Sequence, residues 1–340
     1  MQTHELEATA RELVTKGKGI LAADESFGTI KKRLEAINVE STADTRRSYR
    51  EVLFSTPGIE EYISGVILFD ETIRQVDMDG TPLRDLLLSR GIKVGIKVDE
   101  GTQDLTNFPG EKVTEGLDGL RNRLAEYRDL GASFTKWRAV ITIGPGIPTR
   151  TCIESNAEVL AMFATLSQEA GLVPVVEPEV LMDGEHNIEQ CRDATEAMLK
   201  SVFSHLMDHR VHLEGMLLKS NMVLPGKKSP AQVSVGEVAE KTVKLLRRVV
   251  PAAVPGIVFL SGGQDSIVAT EHLNAMNNMG DLPWHLSFSY SRALQEDALK
   301  TWAGSDDNRA EAQRIFYKRA KCNGVATRGE YSGEMERIAA

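Results

Sequence analysis

Cysteine is scarce. The 340 residues hold three, Cys152, Cys191 and Cys322, and none forms a C-x-x-C pair. Their odd number and wide spacing fit reduced thiols better than a disulfide framework. Long apolar runs are missing too. No stretch approaches the roughly 20 apolar residues of a membrane-spanning helix. The opening MQTHELEATARELVTKG has no basic start and no apolar centre, so it does not read as a secretory signal. It is also too acidic for a transit peptide. Positive charge is the minority sign: 40 Lys and Arg face 49 Asp and Glu, a formal net charge of -9. A chain of this kind has no general pull toward nucleic acid or an anionic membrane, so phosphate binding would need a local basic pocket. The expectation is a soluble, cytoplasmic protein without nucleic acid or membrane as partner. No Pro/Gly/Ser-rich linker, low-complexity tract or block of like charge divides the chain. The length suits two average domains or one α/β barrel.

What the sequence does contain is a recurring short apolar run closed by a polar residue. Eight occur: KGILAAD ending at Asp24, YISGVILFD at Asp70, VGIKVDEG around Lys97, ASFTKWRAVI around Lys136, LVPVVEPEV around Glu177, LEGMLLKSN ending at Lys219, PGIVFLSGG at Ser261 and WHLSFSYSR at Arg292. They are rich in Val, Ile, Leu and Phe and recur roughly every 30 to 45 residues, the scale of a βα unit. Helical patterns lie between them. EVLAMFATLSQEAG places Val159, Phe163 and Leu166 on one face and stops at Gly171; EVAEKTVKLLRRVV spaces Val238, Val243 and Leu246 and stops before Pro251. Eight such alternations predict a single-domain (β/α)₈ barrel spanning 1–340, with extra N-terminal helices. The residues from about Gly324 onward have little apolar periodicity and read as a mobile tail.

In such barrels the chemistry sits at the carboxyl ends of the strands. The candidates are therefore Asp24, Asp70, Lys97, Asp99, Lys136, Arg138, Glu177, Glu179, Lys219, Ser261 and Arg292. Period-2 alternation puts Lys136 and Arg138 on one face of their strand and Glu177 and Glu179 on one face of theirs. Charges on the inner face of a packed barrel are costly unless paired or functional. A lysine in a dry site beside other cations becomes a nucleophile toward ketones and forms a Schiff base. Lys219, led in by Met216-Leu217-Leu218, is the best candidate; the alternative is a structural ion pair with Glu177 or Glu179. The two glutamates are candidates for proton transfer, one of them acting as counter-charge only. Ser261-Gly262-Gly263 followed by Arg292 fits a phosphate site made of backbone N–H groups and a guanidinium. His205, His209 and His212 have a spacing that can ligate zinc. They precede the sixth strand, however, at the end of the barrel away from the chemistry, and read as surface histidines. No metal and no cofactor is expected.

At these residues the sequence resembles the class I (Schiff-base) fructose-1,6-bisphosphate aldolases. The likeness runs from KGILAADES through GIKVDEG, FTKWRAV, PVVEPEV, LEGMLLKSNM and FLSGGQ to FSYSRAL. The resemblance implies reversible cleavage of fructose 1,6-bisphosphate to dihydroxyacetone phosphate and glyceraldehyde 3-phosphate, in a homotetramer. It implies Lys219 as Schiff-base lysine and Glu177 as acid/base, with Glu179 as its partner. Asp24 and Lys136 become the pair that positions substrate hydroxyls, with Arg138 beside them. Ser261, Gly262 and Arg292 match the site for the phosphate on carbon 1; Ser26, Thr29 and Lys97 match the residues near the phosphate on carbon 6. Two departures stand out. Ser291 occupies the place of a frequent glycine before the arginine. The sequence closes Arg337-Ile338-Ala339-Ala340 where animal members carry a terminal tyrosine, and that tyrosine's role is not carried over to Tyr331. Two other readings stay open on the residues alone: another Schiff-base sugar-phosphate lyase or transaldolase, and a non-enzymatic interaction scaffold.

Overall fold

A computed structural model of the chain describes residues 3–337. Each of the eight apolar runs holds one strand of a closed parallel barrel. Helix α1 (Thr3–Leu13) precedes strand β1 (Gly19–Ala23); α2 (Phe27–Glu35) and α3 (Ala43–Phe54) lead to β2 (Ile63–Leu68). Short helices α4 (Asp70–Arg74) and α5 (Leu83–Leu88) lead to β3 (Lys93–Lys97). An antiparallel hairpin, β4 (Gly101–Asp104) and β5 (Lys112–Glu115), and helix α6 (Leu120–Asp129) come next. Strand and helix then alternate: β6 (Phe134–Ile141), α7 (Arg150–Glu169), β7 (Val173–Val180), α8 (Ile188–Asp208), β8 (Leu217–Ser220), α9 (Val235–Val249), β9 (Gly256–Phe259), α10 (Ser266–Asn277) and β10 (His285–Tyr290). Helices α11 (Arg292–Trp302) and α12 (Arg309–Ala326) complete the outer ring. The ladder runs β1-β2-β3-β6-β7-β8-β9-β10, and β10 pairs back onto β1.

The strands are buried on both faces, which is why they read as continuous apolar runs. Outward residues such as Leu21, Trp137, Val176 and Leu218 pack against the helical ring, and Trp137 lies against Phe163 of α7. Inward residues are layered by height. At the amino-terminal end Ile20, Ala22, Ile67, Phe134, Val173, Val175, Leu217 and Val258 form an apolar plug. The amphipathic helix α1 seals it from below with Leu6, Ala10 and Leu13. Gly95 makes room for this plug, since a Cβ there would stand 2.3 Å from the Phe134 ring. One layer up, the same inward rows switch to charge: Phe134 is followed by Lys136 and Arg138, Val175 by Glu177 and Glu179, Leu217 by Lys219. The apolar floor fixes the height at which those charges begin.

The tail differs from expectation. Gly324 lies inside α12, where a Cβ would meet the carbonyl oxygen of Gly17 at 2.5 Å. The Gly17 N–H donates to Thr327 Oγ1 at 2.7 Å. Helix α12 therefore continues past the expected boundary because it packs directly on the segment before β1. Tyr331 is buried, its N–H donating to Asn274 Oδ1 and its hydroxyl to Glu336 Oε1, each at 2.9 Å. Residues 338–340, the rest of the expected tail, lie outside the described residues.

Candidate active site

The carboxyl ends of the barrel strands open into a cavity of about 990 Å³, at the upper end for small-molecule sites. Asp24, Ser26, Thr29, Lys97, Lys136, Arg138, Glu177, Glu179, Lys219, Ser261, Gly262 and Arg292 all line it. Residues far apart in sequence thus meet in one chamber, as the strand-end rule predicts.

At its floor two lysines share one carboxylate. Lys219 Nζ lies 3.1 Å from Glu177 Oε1, and Lys136 Nζ lies 3.5 Å from Glu177 Oε2. All three side chains are nearly closed to solvent, with Lys219 and Lys136 each 4% exposed and Glu177 3%. Lys136 also reaches Asp24 Oδ2 at 2.5 Å. Burial by itself would raise the Asp24 carboxyl, but the positive charges of Lys136, Lys219 and Lys97 outweigh it and hold the group down at about 2. Burial likewise pulls Lys136 down, and the attraction of Asp24 and Glu177 more than reverses it, so Lys136 stays a cation. The register supports this meeting: Lys97 stands beside Lys136, and Arg138 beside Glu177. Glu177 Oε2 is buried and makes no hydrogen bond. A buried polar atom left without a hydrogen bond is unusual in a folded chain.

Glu179 differs. Its Oε2 accepts from Arg138 Nε at 2.5 Å, so it is paired with the guanidinium and not with the two lysines. Lys97 does not stand free; its ammonium lies 2.6 Å from Asp99 Oδ1. Asp99 in turn takes the Arg138 N–H at 3.2 Å. Ser26 stands at the N-terminal boundary of α2 without a side-chain capping bond, its hydroxyl 3.2 Å from that of Thr29. The Ser291 hydroxyl donates to Glu25 Oε1 at 2.8 Å and accepts from Arg33 Nη1 at 3.0 Å. The side chain that replaces a frequent glycine is thus held in a side network. Arg50, Arg33 and Gln295 complete that network around buried Glu25. Burial pushes the Glu25 carboxyl up, and Arg50 and Arg33 reverse the shift.

The three histidines carry no site. His205 and His209 pair with Glu158, while His212 turns to Glu7 of α1 at 3.0 Å, at the amino-terminal end of the barrel. Among the described residues no group of three or more His, Cys, Asp or Glu is arranged to hold a metal.

With this geometry in place, comparison with known proteins is direct. The family model described as fructose-bisphosphate aldolase class-I matches residues 5–340. The chain belongs to the class-I fructose-bisphosphate aldolase family. A relative from Xanthomonas campestris pv. campestris, named probable fructose-bisphosphate aldolase class 1, is 56% identical over 98% of this chain and 100% of its own length. Fructose-bisphosphate aldolase 6, cytosolic, of Arabidopsis thaliana is 54% identical over 98% of this chain and 93% of its own. Among solved structures, the aldolase of Plasmodium falciparum, crystallised in complex with TRAP and a small-molecule inhibitor, superposes with a TM-score of 0.96. The two are 48% identical, over 97% of this chain and 96% of that one. This family member is a carbon–carbon lyase, and its reaction is the aldol cleavage of fructose 1,6-bisphosphate. The transaldolase and scaffold readings are thereby set aside.

Sequence reasoning missed several cavity residues of this aldolase. Ser289, with a buried hydroxyl that finds no hydrogen-bond partner, lines the chamber, as do Lys32 and Arg33. Its signal was the alternation Ser287, Ser289 along β10, continued by Ser291 just past its end. Gln264 and His272, which do not line the cavity but support its glycine turn, were also missed. Gln264 Nε2 donates to the Ser261 carbonyl at 2.9 Å, and its Oε1 lies 2.7 Å from His272 Nδ1. Burial holds His272 down at about 4, so a neutral imidazole props the glycine turn. No helix among the described residues is long and apolar enough to cross a membrane.

Proposed function

We propose that Lys219 is the nucleophile of this aldolase and Glu177 its proton carrier. The observation that carries the assignment is the Glu177 carboxylate. One oxygen stands 3.1 Å from Lys219 Nζ, while the other is buried, makes no hydrogen bond and has only the Lys136 ammonium at 3.5 Å, on a residue that lines the chamber. The Lys219 amine attacks carbon 2 of the open-chain ketose, and Glu177 passes the proton that lets the carbinolamine lose water. The resulting iminium is an electron sink. Glu177 then takes the proton of the carbon 4 hydroxyl, the bond between carbons 3 and 4 breaks, and its electron pair moves into the iminium as an enamine. Glyceraldehyde 3-phosphate leaves. Protonation at carbon 3 and addition of water release dihydroxyacetone phosphate and restore the amine. Asp24 and Lys136 orient the substrate hydroxyls and keep positive charge beside Lys219. Glu179 holds Arg138 in place. Ser261, Gly262 and Arg292 hold the carbon 1 phosphate; Ser26, Thr29 and Lys97 stand at the carbon 6 phosphate, with Lys97 exchanging its Asp99 contact for the ligand. The likeness to a cytosolic relative supports a cytoplasmic location; the homotetramer implied by the family resemblance is to be checked by solution mass.

Borohydride reduction in the presence of dihydroxyacetone phosphate, followed by peptide mapping, tests the chemistry. The adduct is expected on Lys219, and Lys219→Ala should lose activity by several orders of magnitude. An adduct on Lys136 or Lys97 with Lys219 unmodified overturns the assignment. Activity should survive EDTA, since the iminium rather than a Lewis acid accepts the electrons. Loss that zinc restores would move the enzyme to metal-assisted chemistry.

A further inference from the structure

We propose that Lys227 is a further phosphate-binding residue, acting with Arg292 on the phosphate held by the Ser261-Gly262-Gly263 turn. The proposal rests on reading that turn as the carbon 1 phosphate site. Gly263 has a φ of +90°, and a Cβ at its position would stand 2.8 Å from Arg292 Nη2 and 3.0 Å from Lys227 Nζ. Two cationic nitrogens thus come within 3.0 Å of one point beside a residue with no side chain. Like charges so close repel unless an anion lies between them. Arg292, exposed at the first position of α11, makes no salt bridge among the described residues. Among the described residues Lys227 pairs with one carboxylate, Asp183, at 3.2 Å, and that carboxylate is 71% exposed. One solvated carboxylate is weak compensation for two converging cations. A phosphate monoester, carrying roughly -1.5 to -2 charges, is the ligand chemistry that fits.

The position of Lys227 is set by backbone. Gly226, Lys227 and Lys228 donate their N–H groups to the carbonyls of His186, Met182 and Gly184 at 2.8, 2.8 and 2.9 Å. The segment after β8 is thereby zipped to the segment after β7. The zip needs glycine at 226, where a Cβ would lie 2.4 Å from the Gly184 carbonyl oxygen. Met182, one of the zipped residues, packs against the turn, its Sδ 2.8 Å from where a Gly262 Cβ would be. Strand ends β7, β8 and β9 therefore meet at one small cradle, and the lysine delivered there comes from a segment that ended no apolar run. The strand-end inventory could not find it.

The test compares Lys227→Met, which keeps most of the stem and removes the charge, with Lys227→Arg and with the neighbour Lys228→Met. Substrates are fructose 1,6-bisphosphate and a ketose carrying its only phosphate on carbon 1, fructose 1-phosphate. Lys227→Met should raise KM for both by a similar factor, roughly tenfold or more for loss of one charge-assisted contact. The reduced adduct with saturating dihydroxyacetone phosphate should still form on Lys219. Lys227→Arg should recover most of the affinity, and Lys228→Met should change little. KM values unchanged for both substrates would overturn the proposal, as would a rise confined to the bisphosphate. Arg292→Ala separates the two levels. If it leaves KM for fructose 1-phosphate unchanged, the cradle itself is misassigned; if it raises KM while Lys227→Met does not, only the role of Lys227 falls.

Discussion

Glu177 occupies a position no surface glutamate could. Its two oxygens face different lysines, and its neighbours exclude water. A buried ion cluster of this kind is poor value as a stabiliser, because desolvation offsets most of the attraction. It makes sense as chemistry. Glu177→Gln keeps shape and volume but cannot accept a proton. It should lower kcat by about 10² to 10⁴, the usual contribution of a positioned acid/base, and should slow formation of the trapped adduct as well as the cleavage step. Single-turnover measurements would check both. A variant with nearly full kcat would leave Asp24 or Glu179 to carry the proton.

At the level of elements, the end of the chain is the informative part. Helix α12 and the turn after it are tied to the body by Arg319, whose guanidinium reaches Glu336 Oε1 at 2.7 Å and Thr270 Oγ1 at 2.8 Å. Tyr331 shares that Glu336 oxygen and is not among the residues lining the cavity. Burial first, and then Glu336, push its phenol well above the ordinary tyrosine range, which suits a fixed donor and not a proton carrier. Tyr331→Phe should therefore leave exchange of the carbon 3 proton of dihydroxyacetone phosphate with solvent unchanged within about twofold, while lowering stability by about 1 kcal/mol for the lost hydrogen bond. A large selective loss of exchange would show that this segment reaches the chamber during turnover.

For the molecule as a whole, several buried groups shape the acid response: His186, His285 and Glu25 are held below their ordinary values, and His272 and Asp24 are two with defined windows. His272 sits at about 4 in the fold against 6.5 as a free group. Below pH 6.5 the unfolded chain binds this proton more readily than the folded one, so stability falls between about 6.5 and 4. Asp24 sits at about 2 against 3.8. Its contribution is complete above 3.8 and disappears as pH falls through 2, a loss of about 2 kcal/mol. Denaturant titrations across this range should show the two steps in that order. His272→Asn should reduce the upper step, leaving the share of His186 and His285, and should not alter the lower; an upper step of unchanged size would assign it to those groups.

The barrel and the charged layer of its mouth were legible in the chain because both depend on periodicity. A strand buried on both faces must be apolar, and a charge that interrupts it at period 2 must point inward with its neighbour two residues on. Lys136 and Arg138, Glu177 and Glu179 were readable for that reason, and the residues quoted in the family resemblance all reached one chamber. Other features depend on contacts between distant segments. That Glu179 rather than Glu177 is tied to Arg138, that Lys97 leans on Asp99, and that Ser291 joins the Glu25 network are choices among several partners of matching charge. The end of α12 escaped periodicity because it is held by Gly324 against Gly17, a backbone approach that leaves no pattern in side-chain polarity. Lys227 reaches the Ser261-Gly262-Gly263 turn only because one glycine lets two loops lie carbonyl to amide. Local alternation sets which way a side chain points, and only the packed fold decides which charge it meets.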